Sequence, residues 1–174
     1  MKFSLVKALP LLQRTPTVLD TLLRGLPTEW VSTNEGADTW NAIDIVSHLI
    51  YCDKENWLVR AKHMVKYQDA EPFAPFNRMG GFDIVKGRSV EELLDEFTNT
   101  RKAVLQEVEA QQLDERALSL NGLHPQFGKV KMSQLFSAWV VHDLSHLSQV
   151  ARVLSKQYRE EVGPWIAFLK ILDK

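Results

Sequence analysis

The sequence AWVVHDLSHL at residues 138–147 places two histidines, His142 and His146, four residues apart in a stretch with helical apolar spacing. Residues four apart share one face of a helix, so both imidazoles can bind a single metal ion. A third histidine, His48, lies in a separate apolar stretch, Ile43 to Leu58, that is also predicted to be helical. Three histidines that leave open positions on an ion are typical of a catalytic metal centre rather than a closed structural one.

The helical phase of the first stretch predicts that both of its histidines face the interior of a bundle. Successive residues of a helix are rotated by about 100° about its axis, and this rotation places several residues in one broad stripe. They are Leu135, Trp139, His142, His146, Gln149, Val150 and Val153. Facing helices often build metal sites in the core of a bundle. The competing interpretation is a set of ordinary core histidines satisfied by hydrogen bonds, and the pair alone does not decide between the two.

Four long helices are predicted along the chain, and they indicate an all-α four-helix bundle with a short extra C-terminal helix. The first helix begins at Thr15-Pro16 and ends before Gly25, and residues 3–14 are expected to be helical as well. The second helix runs from about Trp40 to Tyr67, with Asp38 or Thr39 as its cap. The third helix runs from Ser89 to about Gln111, and the fourth from Ser133 to about Tyr158. Gly163-Pro164-Trp165 opens the short final helix.

Two longer connections separate the last three predicted helices. The first contains Phe73, Phe76 and Phe82, which are large side chains for a mobile loop. We therefore expect this crossover to pack over the bundle or its site. The second connection, residues 121–128, is predicted to be a loop, because no alternating pattern of useful length indicates a strand.

The composition narrows the class of protein. The chain has 174 residues, which suit a single domain spanning residues 1–174, and its 21 basic and 22 acidic residues leave a net charge of -1. This balance argues against a nucleic-acid partner. The single cysteine, Cys52, excludes a disulfide within the chain and favours a reducing compartment. No apolar run approaches a membrane span and no signal peptide is evident, so we expect a cytoplasmic protein.

Several polar residues near the predicted ligands are candidates for catalysis or for orienting a ligand histidine. Asp143 projects toward the apolar side of its helix, where a carboxylate needs a partner; it either orients a histidine or pairs with an arginine. Gln149 shares the stripe of the two histidines, and Glu55 is a candidate base on the side of His48, unless it is simply solvated. The same side of that helix carries Asn41, Asp44 and Cys52, which are alternative fourth ligands, acid–base groups or outer partners of a ligand. The helix dipole explains Asp44 as well, and apolar packing explains Cys52.

The order and spacing of several short motifs resemble the DinB family of metal-binding bundles, which includes the YfiT-like metal-dependent hydrolases. The motifs are Thr39-Trp40, IVSHLI at residues 45–50, Phe73 to Phe76, SVEELLDEF at residues 89–97, WVVHDLSHLSQVAR at residues 139–152, KQY at residues 156–158 and VGPW at residues 162–165. Together they extend over nearly the whole chain.

The resemblance implies a four-helix bundle, often a homodimer, in which three histidines hold a divalent metal. His48 matches the histidine of the family's second helix, and His142 and His146 match the pair of the fourth, so the family's ligand set is complete here. Some members of the family are S-transferases that use bacillithiol, mycothiol or glutathione, and others have no known activity.

Two functional hypotheses of different classes follow from these patterns. The first is a metal-dependent enzyme, a thiol S-transferase or a hydrolase, that acts on a small molecule with zinc or nickel and, for transfer, a low-molecular-weight thiol. Its candidate catalytic residues are Asp143, Glu55 and Gln149. The alternative is a non-catalytic stress-response bundle that binds a metal or a small ligand.

Overall fold

The computed structural model describes residues 1–173, and helices dominate this part of the chain. In chain order its elements are α1 (Leu5–Leu23), α2 (Thr28–Ser32), α3 (Ala42–Glu55), α4 (Trp57–Tyr67), α5 (Phe82–Val85), α6 (Val90–Ala110), α7 (Glu115–Leu118), β1 (Asn121–His124), β2 (Gly128–Lys131) and α8 (Met132–Lys156), followed by 3₁₀ segments at Gly163–Phe168 and Lys170–Leu172.

Four long rods form the architecture, because each carries an apolar stripe that must be buried. They are α1, the consecutive pair α3 and α4, α6, and α8. α6 packs against α1 and α3, while α8 packs against α1, α3 and α4. Leu19, Leu49 and Phe97 are fully buried where α1, α3 and α6 meet. The predicted all-α four-helix bundle is confirmed.

The N-terminal rod is more continuous than predicted. α1 runs from Leu5 to Leu23 through both Pro10 and Pro16, so the prediction that a helix begins just before Pro16 was wrong. Because Pro16 has no N–H, the carbonyl of Leu12 loses its partner within the helix. The side chain of Arg101 on α6 donates to that carbonyl at 2.8 Å. A tertiary hydrogen bond thus replaces the helical one and lets the helix continue.

The second predicted helix is divided in two. The break falls at Asn56, whose φ of -121° and ψ of -72° are not helical, whereas the sequence predicted one helix from Trp40 to Tyr67. Backbone bonding continues across it, since Asn56 N–H donates to Cys52 at 3.0 Å and its carbonyl accepts from Arg60 at 2.9 Å. The helix therefore bends without ending.

A reciprocal capping box starts α3 two to three residues later than expected. The Asn41 side chain accepts from the Asp44 N–H at 2.9 Å, and the Asp44 carboxylate accepts from the Asn41 N–H at 3.1 Å. Asn41, rather than Asp38 or Thr39, is therefore the cap. This role explains both polar side chains near His48 without assigning either to a metal.

A β-hairpin replaces the loop predicted at residues 121–128. β1 and β2 pair antiparallel, with Asn121 opposite Lys131 and His124 opposite Gly128. The strands are four residues long, which is too short for an alternating pattern to stand out in sequence. Their support is tertiary, because the Phe73 N–H of the crossover donates to the Leu123 carbonyl at 2.8 Å.

The two ends of the last rod also differ slightly from expectation. α8 begins at Met132 with Lys131 as the cap residue, rather than at Ser133, and it ends at Lys156. The predicted final helix forms as 3₁₀ turns that open at Gly163-Pro164. Among residues 1–173, no helix combines the length and apolar character needed to cross a membrane.

Candidate metal centre

Three imidazoles from two rods converge on one point. His48 lies in the middle of α3, and His142 and His146 lie one turn apart on α8. Nε2 of His142 is 3.2 Å from Nε2 of His48 and 3.2 Å from Nε2 of His146. The potential ligand atoms of all three residues lie within 4.8 Å of one another. The structure therefore brings together the three histidines that the sequence singled out.

These separations fit a metal ion. A tetrahedral ion with metal–nitrogen bonds of about 2.0–2.1 Å places its nitrogen ligands about 3.3 Å apart. The two measured distances of 3.2 Å are close to that value. Imidazole nitrogen is a good ligand for zinc, nickel, copper and iron, so the donor set suits a divalent transition metal without selecting one.

A hydrogen bond at His146 and a nearby carboxylate at His142 favour the tautomers in which Nε2 faces the common point unprotonated. Nδ1 of His146 lies 2.8 Å from Oε1 of Gln149, an acceptor, so the ring proton belongs on Nδ1. Nδ1 of His142 lies 3.8 Å from Oδ1 of Asp143, a carboxylate that favours the proton on the same nitrogen. The lone pairs of the two Nε2 atoms then face each other and repel, and a cation bound between them would remove this repulsion.

The surroundings keep the rings of His48 and His146 neutral near pH 7. Burial, followed by the neighbouring imidazoles of His146 and His142, lowers the pKa of His48 to about 3. Burial and the nearby His142 ring lower the pKa of His146 to about 4. A neutral imidazole is the form that binds metal, so protons compete for these two ligands only in acid.

An aromatic side chain fixes two of the rings from the outside. The Trp40 ring lies parallel to His146, at 10° and 6.2 Å between centroids, and 4.8 Å from His48. Phe82 of the crossover packs edge-on against Trp40 at 5.7 Å. Trp40 therefore contacts the candidate site itself.

A buried ion network lies behind the histidines and was only half expected. Arg101 of α6 donates to both carboxylate oxygens of Asp53, at 2.6 and 3.0 Å, and to Asp143 at 2.5 Å. All three side chains are almost fully buried. Burial would raise the pKa of Asp143, but the charge of Arg101 and the hydrogen bonds to the carboxylate together outweigh it and hold that pKa below its usual value. Asp143 therefore pairs with an arginine and also faces His142.

Arg101 and Asp53 were missed by sequence reasoning, although one signal was present. Arg101 is spaced four residues from both Phe97 and Leu105, so it falls on the apolar stripe of its helix. A charged residue in such a stripe requires a buried counter-charge. Its partner Asp53 lies 48 residues away in sequence, where no periodicity points to it.

The other candidates on α3 occupy different environments. Sγ of Cys52 lies 3.3 Å from Nε2 of His48 and 4.0 Å from Nε2 of His142. Burial, reinforced by the nearby carboxylates, raises the pKa of the Cys52 thiol, which keeps it protonated unless a cation is near. Glu55 is exposed, and it lines a shallow neighbouring pocket rather than the cavity beside the histidines.

A cavity of about 650 Å³ opens directly from the candidate centre. His48, Cys52 and His142 form its inner end. Phe73 and Phe76 of the crossover line it as well, as expected from their size, and the Phe76 ring lies 6.5 Å from that of His48. Such a volume suits a small molecule. The other wall includes the β-hairpin, which the sequence did not predict.

The comparisons with known proteins agree with this fold. The model of the DinB superfamily matches residues 11–150. No curated protein matches the sequence significantly. Among solved structures, YfiT from Bacillus subtilis, described as a probable metal-dependent hydrolase with an unusual four-helix bundle topology, aligns with a TM-score of 0.73 and 15% identity over 87% of this chain and 86% of that chain. The chain belongs to the DinB superfamily.

Proposed function

We propose that this chain binds one divalent metal ion through Nε2 of His48, His142 and His146, and that it is an enzyme acting on a small molecule in the adjacent cavity. The observation that carries the proposal is the convergence of three ring nitrogens, with two of their separations at tetrahedral spacing and with Gln149 accepting the Nδ1 proton of His146. A divalent cation bound there supplies Lewis acidity, which lowers the pKa of a water or thiol in contact with it.

Thiol transfer is the reaction that the cavity supports best. No Asp or Glu side chain is among the residues that line it, so a general base for water is not in place. A thiol needs less help, since its ordinary pKa is about 8.5 and that of water is about 15.7. The thiol sulfur would attack an electrophilic carbon and displace a leaving group with its bonding electrons, while the thiol proton passes to solvent.

The residues of the chain have separate tasks in this proposal. Gln149 holds the His146 proton at Nδ1, and the Asp143 carboxylate, 3.8 Å from Nδ1 of His142, favours the same tautomer there through its charge. Phe73, which is buried, and Phe76 cover the inner cavity and exclude water from the reacting groups. Glu55 is exposed and has no assigned task.

Hydrolysis is the second candidate. It is supported by the fold shared with YfiT, which is described as a probable metal-dependent hydrolase. The same centre would serve it, with water in place of the thiol. Zinc and nickel are the metals we expect.

A screen of thiols and electrophiles tests the proposed activity. The purified protein is assayed with glutathione, bacillithiol, mycothiol or cysteine against monochlorobimane, and without thiol against nitrophenyl esters. We expect turnover that requires a thiol, is lost with a chelator and returns with zinc or nickel. Turnover of esters alone would favour the hydrolase. A metal-loaded, folded protein that turns over none of these substrates would contradict an enzyme and favour the non-catalytic bundle.

A further inference from the structure

The lining of the cavity carries positive charge without matching negative charge. Arg60, Arg78 and Lys129 all line the cavity. Lys129 is paired with Asp69 at 2.7 Å. Within residues 1–173, no carboxylate lies at ion-pair distance from Arg60 or Arg78. Two guanidinium groups are therefore available to a ligand.

Arg60 is held in place toward the cavity. Its guanidinium lies over the ring of Phe73, 5.2 Å from the centroid, and the residue is partly buried. Burial lowers the pKa of Arg60, which reflects the cost of removing its charge from water. An anion next to this group would offset that cost and gain charge-assisted hydrogen bonds. Arg78 is exposed and lines the same cavity, and its charge contributes to the lowered pKa of His48, so it is within reach of a ligand beside the candidate centre.

Neutral groups that line the same cavity also present hydrogen-bond donors. Nδ1 of His124 accepts from the backbone N–H groups of Gln126 and Phe127, at 3.1 and 3.2 Å. A neutral His124 ring must then carry its proton on Nε2. Nε1 of Trp57, another lining residue, is a buried donor without an acceptor. The wall is thus rich in donors and, within the described residues, lacks carboxylates.

We propose that the substrate carries an oxyanion, a carboxylate or a phosphate, that Arg60 and Arg78 bind while the reactive end of the molecule faces His48 and His142. Guanidinium groups match both oxyanions because their paired N–H groups meet two oxygens at once. The direction in which the molecule lies rests on the proposed function. Binding of the oxyanion itself does not require a metal.

Three simple probes test the proposal by calorimetry on the purified protein. They are 4-phenylbutyrate, phenyl phosphate and the neutral 4-phenylbutanamide. We expect at least one anion to bind about tenfold or more tighter than the amide, with each of Arg60→Gln and Arg78→Gln removing about tenfold of its affinity. Arg116→Gln, at an exposed arginine outside the cavity, should change nothing. The stronger anion identifies the oxyanion, and Arg78→Gln changes an exposed residue that is not needed for folding.

Failure of this inference is distinguishable from failure of the metal site. Equal binding of anions and amide by the wild-type protein would overturn it. An anion preference that survives both arginine changes but disappears in His146→Ala would also overturn it, because the anion then binds the metal. A preference that depends on the arginines in a protein that binds no metal would support the inference and contradict the proposed function alone.

Discussion

Arg101 is the residue on which the interior depends most. Its guanidinium is the shared counter-charge of Asp53 and Asp143, and it also satisfies the Leu12 carbonyl that Pro16 leaves without a partner. It thereby joins α6 to three other rods and places Asp143 behind His142. One side chain links the continuity of a proline-containing helix to the orientation of a candidate ligand.

Loss of the Arg101 side chain should therefore destabilise the folded protein. Arg101→Met keeps much of the volume but leaves two buried carboxylates without a counter-charge, and we expect the free energy of unfolding to fall by about 3–5 kcal/mol. Urea unfolding in the presence of a chelator measures this without a contribution from metal binding. Arg116→Met, at an exposed position, should change it by less than about 0.5 kcal/mol.

A double-carboxylate background sharpens the test. In Asp53→Asn/Asp143→Asn the buried charges are absent, so adding Arg101→Met should cost clearly less than it does in the wild type. Equal costs in the two backgrounds would mean that packing, not charge compensation, explains the effect of Arg101.

At the scale of elements, the hairpin β1–β2 can form a cavity wall because Gly122 lets it approach the crossover. A Cβ added at Gly122 would lie 2.6 Å from Cζ of Phe73 and 2.8 Å from Cγ of Met64. Real Cβ atoms do not come so close to a neighbour, and both neighbours are buried. The missing side chain is what permits this packing.

The sign of the stability change caused by one substitution tests that contact. Gly122→Ala should destabilise the protein by about 1–3 kcal/mol, because the added methyl overpacks the contact with Phe73. In open space the same change would stabilise by about 0.4–1 kcal/mol. Thermal unfolding distinguishes the two outcomes, with Asn121→Ala at the neighbouring exposed position as the control. An unchanged or raised melting temperature would contradict the close packing.

Long periodic elements were predictable from the sequence, and short or interrupted ones were not. α8 and α6 follow from apolar spacing, and α6 also from the Ser89 capping box, which the structure shows. The continuity of α1 through Pro16 depends on Arg101, which satisfies the Leu12 carbonyl from 89 residues away in the sequence. The hairpin depends on Phe73 in the same way. Local patterns carry no record of such tertiary bonds.

At the scale of the whole molecule, the inner end of the site was predictable and its outer wall was not. His48, His142 and His146 each lie on an apolar helical face, so their phases alone pointed inward. Arg60 follows the bend at Asn56 between α3 and α4, and His124 belongs to the hairpin at residues 121–131. Both residues line the cavity, and neither feature was predicted from the sequence. The homodimer, the cytoplasmic location, the single domain over residues 1–174 and the lack of a nucleic-acid partner stay predictions.

Metal stoichiometry of the purified protein and its histidine variants tests the central claim most directly. After loading with zinc or nickel and removal of excess metal, the wild type should hold one ion per chain. His48→Ala, His142→Ala and His146→Ala should each lose most of it, since two imidazoles bind far more weakly than three. His63→Ala, at a histidine outside the cluster, should keep it. A wild-type protein that retains no metal, or a His146→Ala variant with unchanged stoichiometry, would contradict the three-histidine centre.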